Sequence, residues 1–322
     1  MPLESIRALV RTDLTQTDQF ITNELRSDIP FINELVAYIL SAGGKRIRPL
    51  LVLLAARALD HQKQQHIELA SAIELIHTAT LLHDDVVDSS NLRRGHETAN
   101  AIWGNEASVL VGDFLYSRAF QLIVKLQHLP ILSIFSNATN IIAEGEVLQL
   151  LNCHNPDTTE ASYFDVIIRK TAKLFEVATQ AGAALCTDNA EYISAMQHYG
   201  LNLGIAYQLI DDALDYSAPA EQTGKNMGND ITEGKPTLPL IYALTKSNTD
   251  ESRLLRSAIE TGSTTALTTI VKIIESTGAI EYTANAAKKH AKQACDALTL
   301  LPESPYREAL HRLAHFVVER RY

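Results

Sequence analysis

Cysteine is scarce. The three in this 322-residue chain, Cys153, Cys186 and Cys295, are odd in number and form no CxxC pair. That argues against a disulfide framework or a cysteine-built metal site, and it suits reduced thiols in the cytoplasm. Basic residues are outnumbered by acidic ones, 28 to 38, and the net charge of −10 argues against general nucleic-acid binding. A local basic site for an anionic substrate remains compatible with it. Long apolar runs are missing. The strongest, Leu50 to Ala56, is cut by Arg57 and falls far short of the roughly 20 residues a membrane span needs, so no transmembrane segment is expected. The first residues, Met1 to Arg7, lack the apolar core of a signal peptide. Alternating runs bounded by hairpin turns are also lacking, which predicts no sheet.

What the chain does have is apolar residues, 46% of the total, recurring at three- and four-residue steps. Val109 to Leu126, Ile131 to Leu151, Tyr163 to Leu185 and Tyr192 to Tyr216 follow this helical period. The segment Ile67 to Leu82 is apolar on more than one face, as a buried helix is. Glycine and proline mark the joints, among them Gly43-Gly44, Gly95, Pro130, Pro219 and Gly234. The pattern predicts one all-α domain over residues 1–322, a single large helical domain with its central helices buried.

Two of these helical runs end in the same acidic pattern. Asp84, Asp85 and Asp88 form one Asp-Asp-x-x-Asp; Asp211, Asp212 and Asp215 form the other. Residues four apart share a helix face, with Cβ atoms about 5–6 Å apart, so each triplet is expected to direct its carboxylates one way. Carboxylates so close repel one another unless a cation lies between them. Hard oxygen donors with room for water and phosphate suit Mg²⁺ better than zinc. A single triplet is most often a solvated helix end; two in similar apolar settings make coincidence a poor explanation.

Cationic and polar residues accompany the triplets. Gly43-Gly44-Lys45-Arg46-Ile47-Arg48-Pro49 places Lys45 and Arg48 at an expected helix N-terminus, where anions bind well. Arg93-Arg94-Gly95 follows the first triplet, and arginine forks suit phosphate oxygens. His77 lies two helical turns before Asp84, and Gln208 one turn before Asp211. Lys170-Thr171 interrupts an apolar helix, while Lys225 and Lys235 flank Asp230 in a polar loop with the look of a lid. Taken singly, each has a plainer explanation as a solvated or core residue.

In this order, from Gly43 through Pro239, these residues resemble the motifs of the trans-isoprenyl diphosphate synthase family. The resemblance implies an isoprenoid synthase-like bundle around a central apolar cavity, acting as a homodimeric, Mg²⁺-dependent prenyltransferase. It implies that Asp84, Asp85 and Asp88 hold Mg²⁺ against an allylic diphosphate, and that Asp211, with Asp212 and Asp215, holds a further ion. Arg93, Lys170, Lys235 and Lys225 would contact that diphosphate. Lys45, Arg48, His77 and Arg94 would bind isopentenyl diphosphate, and Thr171 and Gln208 would face the developing allylic cation. Arg320 and Arg321 either cover the isopentenyl site or are simply solvated.

Within the family, a bulky aromatic five residues before the first triplet shortens the product. Here that residue is Ala79, and the triplet carries no two-residue insertion. A long, membrane-destined product is therefore expected, with Ile123 and Phe135 as candidate floor residues; that it is octaprenyl diphosphate for a quinone side chain is what the resemblance implies. The alternatives are a farnesyl or geranylgeranyl diphosphate synthase and a non-catalytic partner subunit. A partner subunit would be expected to have eroded triplets, and both are intact.

Overall fold

The computed structural model describes residues 3–61, 63–217 and 227–320. Helices account for nearly all of its regular structure. They are α1 (Leu3–Ala8), α2 (Arg11–Glu24), α3 (Pro30–Ser41), α4 (Ile47–Ala58), α5 (Gln65–Val87), α6 (Ala99–Trp103), α7 (Asn105–Lys125), α8 (Leu129–Asn152) and α9 (Glu160–Ile167). A π-helical turn, Ile168–Ala172, leads into α10 (Lys173–Ala184) and α11 (Ala190–Ser217). After residue 226 come α12 (Asn229–Thr232), α13 (Leu238–Lys246), α14 (Thr249–Thr261), α15 (Leu267–Ser276), α16 (Ala279–Ala297) and α17 (Pro305–Glu319). The all-α expectation holds.

The chain groups into two compact units. One comprises Met1–Asn137, Leu174–Gly200 and Ala297–Leu313; the other comprises Ala138–Lys173, Leu201–Asp296 and Ala314–Tyr322.

In the first unit α5 is the central helix, packed against α2, α4 and α7. Its apolar residues point in several directions, and Ile67, Leu69, Ala70, Ile73, Leu75, Ile76 and Ala79 are all buried. Helix α4 is equally enclosed: the run from Leu50 to Ala56 is fully buried, so the strongest apolar stretch of the sequence is core. Ile123 on α7 and Phe135 on α8 are buried in this unit too. In the second unit a core of Tyr216, Ile231, Leu240, Leu255, Ile259, Ile270 and Ile274 joins the end of α11 to α12 through α15.

One described helix, α7, is long and apolar enough to cross a membrane by length and composition, contrary to the expectation from the apolar runs. A buried core helix passes the same test. Here Val111, Leu115, Ala119, Leu122 and Ile123 are buried on α7, and the helix packs along α5.

A polar cluster ties α2 to α4 beneath the start of α5. Arg57 forks onto Asp13 with Nε and Nη2 at 2.8 and 2.7 Å, and His66 Nε2 lies 3.4 Å from the same carboxylate. Burial works against the Asp13 charge, but hydrogen bonds from His66 and Arg57 win and hold its pKa well below the usual carboxylate range. His61, edge-on to His66 at 5.3 Å, is pushed down to about 4 by burial and by the positive fields of His66, Arg57 and Lys63.

His61 is therefore neutral in the folded protein but titrates near 6.5 once unfolded. A group with a depressed folded pKa loses stability as pH falls from the unfolded pKa toward the folded one. Between pH 7.5 and 5 the wild-type chain should lose roughly 1–2 kcal/mol more than His61→Leu. Urea unfolding at both pH values checks this, and equal losses would show that His61 contributes nothing.

Candidate active site

The first triplet closes α5. Its members do not all point one way, as the sequence reading expected. Successive helical residues turn by about 100°, so Asp84 and Asp88 share a face while Asp85 is rotated inward. Asp85 is 4% exposed and accepts from Arg93 Nε and Nη2 at 2.8 and 2.7 Å. Burial raises its pKa despite the arginine, with Asp84 and Asp88 adding to the effect. Asp84 and Asp88 are only partly buried and stand as a pair of carboxylates at the helix end.

Arg93 reaches Asp85 from a structure the sequence did not disclose. Leu92–Arg93 and His96–Glu97 form a minimal antiparallel hairpin, Leu92 opposite Glu97 and Arg93 opposite His96. Two residues per strand are too few to show alternation. The turn residues Arg94 and Gly95 both have positive φ, +54° and +80°, as a tight hairpin turn demands. Arginine in that region is strained by about 1 kcal/mol or more. The strained turn aims Arg94 at the carbonyl of Gly43, to which its Nη1 donates. A Cβ on Gly44 would collide with the Arg94 guanidinium, so the second glycine of Gly43-Gly44 is what admits it.

The basic loop before α4 is held from beneath. Arg46 has φ +47° and donates to the buried carboxylate of Glu74 on α5, and its Nε lies 3.6 Å from Asp18 Oδ1. Arg48 Nη1 lies 3.0 Å from His77 Nε2, and its guanidinium stacks 4.7 Å from the Phe175 ring. Arginine can only donate, so His77 Nε2 accepts and the imidazole is neutral. Burial and the surrounding Arg48, Arg94, Arg93 and Arg46 push its pKa well below 6.5 in the same direction. Arg46, Arg48, Arg93 and Arg94 thus surround His77 in the first unit, and Lys45 adjoins Arg46 in the chain.

In the second unit α11 carries the other triplet, and each aspartate has a different neighbour. Asp211 Oδ1 accepts from Arg320 Nη1 at 2.8 Å. Asp212, 3% exposed, accepts from the Tyr163 hydroxyl and from Gln208 Nε2, the latter at 2.7 Å. Burial raises its pKa strongly, with Asp211 and Asp215 adding to it. Asp215 accepts the backbone N–H groups of Asn229 and Asp230 at 3.3 and 3.1 Å, capping α12. As in the first triplet, the second aspartate is the inward one.

Lys170 and Thr171 sit in the π-helical turn, where an extra residue per turn swings both side chains away from the α-helical path. Gly145 on α8 lets that turn approach: a Cβ there would lie 2.8 Å from the Lys170 backbone nitrogen. Lys170 Nζ pairs with Glu146 and donates to Gln149 Oε1 at 2.8 Å, and Thr171 donates to Gln208 Oε1 at 2.9 Å. Lys235 pairs with Glu233 at 2.6 Å after Gly234, whose φ of +64° and contact with the His154 ring leave no room for a side chain. Lys225 and Arg321 lie outside the described residues.

Several contributors were not singled out from the sequence: Tyr163, Glu146, Gln149, Glu233 and the inward turn of Arg320. Arg320 is not a solvated terminal residue. It is 8% exposed, bonded to Asp211 and the Tyr207 carbonyl, and stacked 4.0 Å from the Tyr207 ring. No spacing rule links residues so far apart in the chain.

The Polyprenyl synthetase family model matches residues 29–276, which contain the motifs from Gly43 through Pro239 but not Arg320. The chain belongs to the polyprenyl synthetase family. It is 50% identical to an octaprenyl diphosphate synthase of Haemophilus influenzae, over 100% of this chain and 98% of that one. The octaprenyl diphosphate synthase of Escherichia coli is 49% identical over 99% of both chains. Among solved structures, a polyprenyl synthase from Caulobacter crescentus, complexed with calcium and isoprenyl diphosphate, superposes with a TM-score of 0.96. It is 43% identical, covering 100% of this chain and 98% of that one. The family membership makes this chain a prenyltransferase.

Proposed function

We propose that the chain is a long-chain trans-polyprenyl diphosphate synthase, adding isopentenyl diphosphate units to an allylic primer such as farnesyl diphosphate and ending at octaprenyl diphosphate. The observation that carries this is the pair of Asp-Asp-x-x-Asp motifs closing apolar helices, accompanied in the first unit by the neutral His77 with Lys45, Arg48 and Arg94. Near-full-length identity to octaprenyl diphosphate synthases supports the product class. The proposed functional unit is the whole chain, 1–322, working in the cytoplasm.

The donors in each unit fit a hard divalent ion. In the first unit Asp84 and Asp88 offer carboxylate oxygens from one helix face; in the second, Asp211 offers a carboxylate whose present partner is a cationic side chain. Mg²⁺ is the proposed ion; when bound, it neutralises charge on the departing diphosphate. Arg93, Lys170, Lys235 and Lys225 are proposed to bind the allylic diphosphate and stabilise its growing negative charge. Lys45, Arg48, His77 and Arg94 are proposed to bind isopentenyl diphosphate. Thr171 and Gln208 are proposed to face the allylic cation with neutral dipoles, which stabilise it without trapping it. The C–O bond of the primer breaks, the isopentenyl double bond attacks the cation, and the released diphosphate takes the proton. Apolar helices keep out the water that would otherwise quench the cation.

The homodimer is proposed on a surface of the same elements. In the first unit α7 exposes Val109, Leu110 and Val124 and the start of α8 exposes Leu129; in the second unit α8 exposes Val147, Leu150 and Leu151. Apolar side chains in such density need cover, and a second copy is the proposed cover.

Purified protein given farnesyl diphosphate, labelled isopentenyl diphosphate and Mg²⁺ should form labelled prenyl diphosphate, and EDTA should stop it. Absence of incorporation would favour the partner-subunit alternative.

A further inference from the structure

Asp212 is enclosed by its own unit, and each of its oxygens has a protein donor: Tyr163 on Oδ2 and Gln208 Nε2 on Oδ1. Gln208 Oε1 in turn accepts the Thr171 hydroxyl. The chain has a definite sense. Gln208 Nε2 donates to Asp212 Oδ1, which leaves the carbonyl end of the amide to accept from Thr171. Tyr163, 4% exposed on α9, begins this sequence of bonds, one and a half turns before the π-helical turn that carries Thr171.

We propose that Tyr163 is a positioning residue for prenyl transfer: by holding Asp212 it orients the Gln208 amide, and through that amide the Thr171 hydroxyl. The proposal rests on the function above, in which Thr171 and Gln208 face the reacting allyl group. Without the phenol, Asp212 Oδ2 is a buried acceptor lacking its donor. The carboxylate then recruits water or shifts toward Gln208, and the amide is no longer fixed.

Tyr163→Phe removes only the hydroxyl. It should lower kcat about tenfold, the equivalent of one hydrogen bond to a charged group, with KM for isopentenyl diphosphate and the Mg²⁺ half-saturation unchanged. Asp212→Asn presents an N–H where an acceptor is required, and should lower kcat similarly. In a Gln208→Ala background, either substitution should change kcat less than about twofold, because the group being oriented is gone.

Additive losses in that background would overturn the proposal. So would a raised Mg²⁺ requirement, which would make Asp212 a metal ligand, or a lower melting temperature with kcat intact, which would make the phenol purely structural. If Tyr163→Phe does not fold, the Asp212→Asn and Gln208→Ala cycle decides alone. A wild-type protein without turnover would overturn the function and this proposal together; an active wild type with additive losses would overturn only this one.

Discussion

Alanine at Asp84 should lower kcat at least about a thousandfold while leaving thermal stability unchanged or slightly raised. Asp84 and Asp88 lie a helical turn apart on one face, and neither is deeply buried. Their charges add to the raised pKa of the buried Asp85, so removing one relieves like-charge repulsion on that carboxylate in the metal-free protein. What is lost is the charge compensation needed as the allylic C–O bond ionises. Asp85 should behave differently, although it is the adjacent residue. It is buried under Arg93, so Asp85→Ala strands a guanidinium and should cost about 3 kcal/mol of stability as well as activity. Measuring kcat and melting temperature for both variants separates the two roles. Equal destabilisation by both substitutions would contradict the geometry.

Tyrosine at Ala79 should shorten the product from about eight isoprene units to three or four. Ala79 is fully buried on α5, about 7.5 Å before Asp84 along the helix axis. A growing chain that starts at the aspartates and runs beside α5 passes this methyl group within its first units. An aromatic ring there closes the path, and it also overpacks the core by about 1–3 kcal/mol. The variant should therefore stay active but unfold at a lower temperature. For a tail that also runs against Phe135, Phe135→Ala should lengthen the product by one or two units, since a fully buried ring is replaced by space. Sizing the dephosphorylated products of the three proteins checks both changes. Wild-type length from Ala79→Tyr would place the tail elsewhere, and unchanged length from Phe135→Ala would remove Phe135 from the route.

The elements that were legible in the sequence are those dictated by local rules. The all-round apolar character of α5, the triplets closing α5 and α11, and the basic Gly43–Pro49 loop all follow from helical period and turn chemistry. What was not legible depends on contacts between distant segments or on backbone states a sequence does not announce. The hairpin at Arg94-Gly95 escapes pattern reading because its strands are two residues long and an arginine takes a positive φ. The π-helical turn at Lys170 and Thr171 has no periodicity of its own. Tyr163 meets Asp212 only once α9 and α11 are packed, and Arg320 reaches Asp211 across most of a unit's sequence. The inward turn of Asp85 and Asp212 was within reach of helix geometry, because a residue one position on cannot share the face of its neighbour.

The central claim is that this site elongates a prenyl chain and that the route beyond Ala79 is open. The most direct test is to incubate the protein with farnesyl diphosphate, excess labelled isopentenyl diphosphate and Mg²⁺, and size the dephosphorylated product. A single dominant product of about eight isoprene units is the predicted result. A product of three or four units would keep the chemistry but contradict the open route, and no elongation at all would contradict the account.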